Sequence, residues 1–92
     1  MLESAIVSRI VKALKERGCF VVKLHGGGMQ RAGLPDLMIV YQGRAIFLEV
    51  KQPGEQATKL QEHTLDQIRQ AGGIAAVVSS VDEALRLIHF QK

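Results

Sequence analysis

Apolar residues recur along this chain with two different periods, and the change of period marks out its elements. Over residues 3–17 they fall at positions 6, 7, 10, 11 and 14, the spacing of one helical face. Gly18 is placed to close that helix. Residues 19–24 (CFVVKL) form a run rich in strand-favouring side chains. A glycine loop follows, His25-Gly26-Gly27-Gly28, continuing through Met29-Gln30-Arg31-Ala32-Gly33. Residues 37–41 read as a second strand, Gln42-Gly43 as a turn and 44–51 as a third strand. Pro53-Gly54 breaks the chain. A helix is predicted over 58–71, ended by Gly72-Gly73, and a fourth strand over 74–79. Ser80 and Glu83 fit a capping box, with a last helix running to about Phe90.

The predicted order is therefore αβββαβα. Strands 2 and 3 form a hairpin. Strand 4 arrives through a helical crossover and should run parallel to strand 3. The expected fold is α/β, a mixed sheet flanked by helices, in one domain spanning 1–92.

Composition narrows the function classes. The chain has 92 residues, 47% hydrophobic and 23% charged, as expected for a soluble globular domain. A chain of this size buries only about 60–65% of its unfolded surface, so a homodimer is expected to supplement the core. No apolar run approaches the roughly 18 residues of a membrane span, and no signal peptide is visible. A single cysteine, Cys19, excludes a disulfide framework and a cysteine-based zinc cluster. It fits a reducing cytoplasm. The net charge of +3 permits phosphate contact without demanding it. Only four aromatics, Phe20, Tyr41, Phe47 and Phe90, argue against a module that stacks single-stranded bases. Neither G-K-[ST] nor a helix-opening G-x-G-x-x-G is present, so no nucleotide cofactor is expected.

The third strand carries the chemistry. Ala45-Ile46-Phe47-Leu48-Glu49-Val50-Lys51 is nearly all apolar, yet it ends on two charges that project from one side. Burying either alone costs several kcal/mol. If Gln42-Gly43 is a two-residue turn, Tyr41 faces Arg44, and Asp36 then lies directly across from Glu49. Two opposed carboxylates repel unless one is protonated or a cation bridges them. Oxygen ligands suit Mg²⁺ or Mn²⁺. Glutamine is not a favoured first residue of a tight primed turn. A three-residue turn with a Gly43 bulge would shift the register and turn Asp36 partly away.

Gly33-Leu34-Pro35-Asp36 followed by Glu49-Val50-Lys51 resembles the signature of the PD-(D/E)XK nuclease superfamily, and the element order is similar to its restriction-endonuclease-like core. The small size, the G-x-P-D start and Gln61 on the following helix resemble the stand-alone form of the VRR-NUC (virus-type replication-repair nuclease) domain. The resemblance implies that Asp36, Glu49 and the backbone carbonyl of Val50 hold a divalent ion. It also implies that Lys51 orients or helps deprotonate the attacking water, and that Glu3 and Gln61 complete the catalytic set. Family members leave a 5′-phosphate and a 3′-hydroxyl. Glu3 shares a stripe with Ile6, Val7, Ile10 and Leu14, which points it at the sheet; a first-turn glutamate is also favoured by the helix dipole alone. Gln61 shares a stripe with Leu65 and Ile68, while Thr58-Lys59-Leu60-Gln61 equally fits a capping box.

The glycine loop, with Lys23, His25, Gly26, Gly27, Gln30 and Arg31, is expected to contact DNA phosphates, as is Lys59 at the second-helix start. His25, His63 and His89 lack metal-ligand spacing among themselves. The leading expectation is a Mg²⁺- or Mn²⁺-dependent DNA endonuclease. By family resemblance it would be phage-encoded or bacterial, acting on branched DNA such as four-way junctions as a homodimer. A nicking or flap nuclease, or a non-catalytic DNA-binding module, are the alternatives.

Overall fold

The computed structural model describes residues 1–25 and 31–90. Seven elements run in the order α1 (Glu3–Glu16), β1 (Phe20–Lys23), β2 (Leu37–Tyr41), β3 (Arg44–Val50), α2 (Lys59–Gln70), β4 (Ile74–Val78) and α3 (Val81–Phe90). The expected αβββαβα order holds, with each predicted boundary moving by no more than a residue or so. Helix ends explain part of the trimming. Gly18 (φ 83°) and Gly72 (φ 97°) adopt the left-handed conformation. The amides beyond them, of Cys19 and Gly73, reach back to Leu14 and Ile68 carbonyls, the reciprocal closure that stops a helix.

The sheet order is β1-β2-β3-β4. Strands β1–β2 and β2–β3 pair antiparallel, and β3–β4 pairs parallel. One face packs against α1 and α3. Leu37, Ile39, Ile46, Leu48, Val50 and Val78 there meet Ile6, Ile10, Leu14, Ala84 and Ile88 in one buried cluster. The opposite face of β3 and β4 is covered by α2, where Leu65 is buried. Over β1 and β2 the cross-strand pair Phe20 and Val40 on that face is exposed among the described residues.

The turn resolves the register. Tyr41 pairs with Arg44 across Gln42 (φ 50°) and Gly43 (φ 77°). Two successive positive φ angles make the primed turn that matches strand twist, so the three-residue alternative does not occur. The start of α3 differs in detail from expectation. Ser80 caps the Glu83 amide as predicted, but the Glu83 carboxylate accepts from the Ser79 amide instead of that of Ser80. No described helix is long and apolar enough to cross a membrane.

Candidate active site

The β2–β3 ladder explains how the site is assembled. Lys51 donates its amide to Val78 of β4. Alternation along β3 therefore aims the amides and carbonyls of Leu48 and Val50 at β2, and those of Glu49 at β4. Leu37 faces Leu48, so the next rung out sets Asp36 opposite Glu49. That rung is a non-hydrogen-bonded one, the kind in which side chains stand closest. One rung further, Val50 faces Pro35, which has no N–H to offer the Val50 carbonyl. The ladder cannot continue. Instead the Asp36 carboxylate takes the Val50 amide at 2.7 Å, and the Val50 carbonyl lies on the same edge.

Gly33 fixes the approach to this rung. Its φ is +85°, and a Cβ there would stand 2.7 Å from Cγ of Leu60 and 3.1 Å from Oγ1 of Thr64 on α2. A residue without a side chain lets the chain pass this close without strain and swing Asp36 to the strand end. Pro35 behind it is fully buried.

Glu49 is the most constrained group in the cluster. It is 3% exposed, and its Oε1 is the one buried side-chain polar atom without a hydrogen-bond partner among the described residues. Its Oε2 lies 3.8 Å from Nζ of the nearly buried Lys51. Its pKa is pushed up to about 8, by burial first, then by the charge of Asp36 and a hydrogen bond to it, with Lys51 opposing the rise and Glu3 adding a little to it. The carboxyl thus holds its proton at neutral pH when nothing positive occupies the site. Burial is the larger cause of that protonation, and the opposed acid adds to it.

Glu3 is half-buried and lines a cleft of about 320 Å³ with Val7, Ser8, Lys23, His25 and Asp36. Its first-helix stripe therefore does bring it to the acids. Gln61 realises the capping box: its Oε1 accepts from the Thr58 amide at 2.8 Å, and its own amide donates to Thr58 Oγ1. Its Nε2 stays uncommitted among the described residues. Lys59, the first residue of α2, is exposed, as are Lys23 and Arg31; Arg31 reaches Gln67 of α2 at 3.3 Å. Gly26, Gly27 and Gln30 lie outside the described residues.

His25 is where reasoning on sequence spacing fell short. Its Nε2 sits 3.3 Å from Oδ1 of Asp36, and His25, Asp36 and Glu49 each offer a ligand atom within 4.8 Å of the others. The missed signal is the β1–β2 register. Its pairs run Phe20–Val40 to Lys23–Leu37 and continue as Leu24 bonds Asp36, which delivers His25 beside the Asp36 rung. Spacing among the histidines alone does not reveal it.

A buried carboxyl group across from a second carboxylate, one of its oxygens without a donor, fits a cation. The donor set of Asp36, Glu49 and the Val50 carbonyl is oxygen-rich, as Mg²⁺ and Mn²⁺ prefer. A mixed sheet bearing two acids and a lysine at the ends of adjacent strands defines a nuclease-type α/β fold. The family model for the VRR-NUC domain matches residues 3–82, and the chain belongs to that family. A solved structure described as a VRR_NUC domain is similar over 92% of this chain and 96% of that chain, at 31% identity and a TM-score of 0.71. No curated protein sequence matches. Membership carries with it DNA as the class of substrate.

Proposed function

We propose that the protein is a divalent-metal-dependent DNA endonuclease that hydrolyses phosphodiester bonds, selective for branched DNA such as four-way junctions. The observation that carries this reading is the buried Glu49 carboxyl group across from Asp36, its Oε1 unpartnered and the Lys51 ammonium beside its Oε2. Asp36, Glu49 and the Val50 carbonyl would hold the ion. A divalent cation there supplies positive charge against a phosphate oxygen and lowers the cost of ionising water.

The chain's own residues do the rest. The Val50 amide fixes the Asp36 carboxylate, so its orientation needs no rearrangement on binding. Lys51, held by Glu49, orients the attacking water and offsets negative charge growing on the phosphate. Water attacks phosphorus in line, the bond to O3′ breaks, and a 3′-hydroxyl and a 5′-phosphate result. Glu3 stands across the cleft to accept a proton from that water. Gln61 has only its amide nitrogen free for the substrate. Lys23, which lines the cleft, and the exposed Arg31 and Lys59 serve the phosphate backbone.

A two-fold dimer would present two such sites to the two strands of a junction. The exposed Phe20–Val40 pair on the sheet supports it, as does the small size of the core.

The test is cleavage of labelled linear, flap and four-way DNA with Mg²⁺, Mn²⁺ or chelator, beside Asp36→Ala. Metal-dependent cutting of the four-way substrate, lost in the variant, is expected. A variant that cuts as well as the native chain would remove the assignment, and equal cutting of all substrates would remove the branched-DNA preference.

A further inference from the structure

We infer that His25 is a nitrogen ligand to the cation held by Asp36 and Glu49, which tilts the site toward transition ions over Mg²⁺. This rests on the metal-site reading above and adds to it a residue and a selectivity.

Three adjacent strands each deliver one donor to the same point. His25 follows β1, Asp36 precedes β2, and Glu49 is the last residue but one of β3, with β2 in the middle. Donor atoms around one ion at bond lengths of about 2.1 Å lie roughly 3–4 Å apart. The 3.3 Å between His25 Nε2 and Asp36 Oδ1, and the 4.8 Å bound on the whole set, need only a small closure to meet that. His25 has room to make it, since its side chain is 45% exposed while Asp36 is pinned by the Val50 amide.

The competing role is a plain ion pair between His25 and Asp36. An exposed pair of this kind contributes little, and it does nothing for Glu49. The buried Glu49 Oε1 has no donor of its own, and a cation placed between the acids would answer it where the His25–Asp36 pair does not. That is the position a ligating imidazole also faces. An all-oxygen site leaves Mg²⁺ and Mn²⁺ nearly matched, whereas an imidazole favours Mn²⁺ modestly and Zn²⁺ strongly.

The test uses Mn²⁺ and the full chain, native and as His25→Gln and Glu49→Gln. Pulsed electron paramagnetic resonance on the Mn²⁺-loaded native protein should show coupling to a directly bound imidazole nitrogen, absent in His25→Gln. In titrations His25→Gln should lose about tenfold or more in affinity for Mn²⁺ and Zn²⁺, and less than about threefold for Mg²⁺. Glutamine can still donate to Asp36, so a merely positioning histidine would leave all three affinities alone. No nitrogen coupling in the native protein, or equal losses for every ion, overturns the inference. Glu49→Gln separates the two levels. If it binds Mn²⁺ as the native chain does, the metal site itself falls; if it loses Mn²⁺ while His25→Gln does not, only the role of His25 falls. Unchanged circular dichroism and melting of metal-free His25→Gln shows that its losses are local.

Discussion

The two ends of the β2–β3 hairpin are built from the same ladder and could hardly differ more. At the closed end no buried side-chain polar atom lacks a partner among the described residues. Arg44 lies 5.8 Å from the centre of the Tyr41 ring and donates to the Ile88 carbonyl of α3; the turn itself is open to water. At the other end the ladder stops at a proline, two carboxyl groups face each other, and a buried oxygen has no donor. One end is arranged for stability. The other keeps an electrostatic conflict that a cation resolves, at a cost to the metal-free fold. Charge reversal of effect is the signature to look for: changes at the open end should damage function while relieving the fold, and changes at the closed end should touch stability alone.

The largest effect is expected from Asp36→Asn. The amide oxygen can still accept from the Val50 N–H, so the strand end keeps its shape. Losing the charge should cut metal-dependent cleavage by about a thousandfold or more, as expected when several kcal/mol of charge stabilisation is removed. The metal-free melting temperature should hold or rise, because Glu49 loses its repelling neighbour. Cleavage rates and thermal melts on the same sample check both halves; a metal-free variant that melts well below the native protein would contradict the conflict described above.

The pH dependence of the metal-free fold comes next. Glu49 has its pKa raised from 4.5 to about 8. Below the lower value both folded and unfolded chains carry the proton, and nothing is lost. Between the two values only the folded chain keeps it, so stability falls as pH rises, by a few kcal/mol over the window. Above about 8 both are ionised and the decline ends. Melting in chelator from pH 5 to 8.5 should show this fall. Glu49→Gln should flatten it, and saturating Mn²⁺ should reverse it, because the ion binds the ionised folded form.

Gly33→Ala sits between the two ends in effect. The left-handed φ alone is strained for alanine, and the added Cβ presses on Leu60 and Thr64. Leu60 is 50% exposed and can yield, so the expected cost is about 1–2 kcal/mol in denaturant melts. Metal affinity should fall with it, since this contact steers Asp36.

How much of this was legible follows from which forces act locally. Helix stripes, caps and strand runs report nearest neighbours in sequence, and the element order was readable from them. The Asp36–Glu49 rung was readable once the turn length was chosen, because a hairpin register is arithmetic. Gln42 was the obstacle: its type argued against the turn it makes, and packing of Tyr41 and Arg44 on either side overrides that preference. The β1–β2 register carries no such short turn, since the long loop between the strands sets no count, and so the place of His25 was hidden. The role of Pro35 in freeing the Val50 carbonyl also needed the alternation of β3 to be fixed by its β4 partner.

Gln42 supplies the finest test of the comparison. At φ 50° it occupies a conformation that asparagine tolerates and glutamine does not favour. Gln42→Asn should stabilise the protein by roughly 0.5 kcal/mol, or about 2–4 °C in melting temperature for a domain of this size. The turn lies at the far end of the ladder from Asp36, and the side chain at 42 points into water. Mn²⁺ affinity and cleavage rate should therefore stay as they are. A tighter turn that also weakened Mn²⁺ binding would mean that the register can slip, with the native turn holding Asp36 opposite Glu49 only part of the time. The two ends would then be one cooperative device, because a slip of a single residue would turn Asp36 to the other face of the sheet.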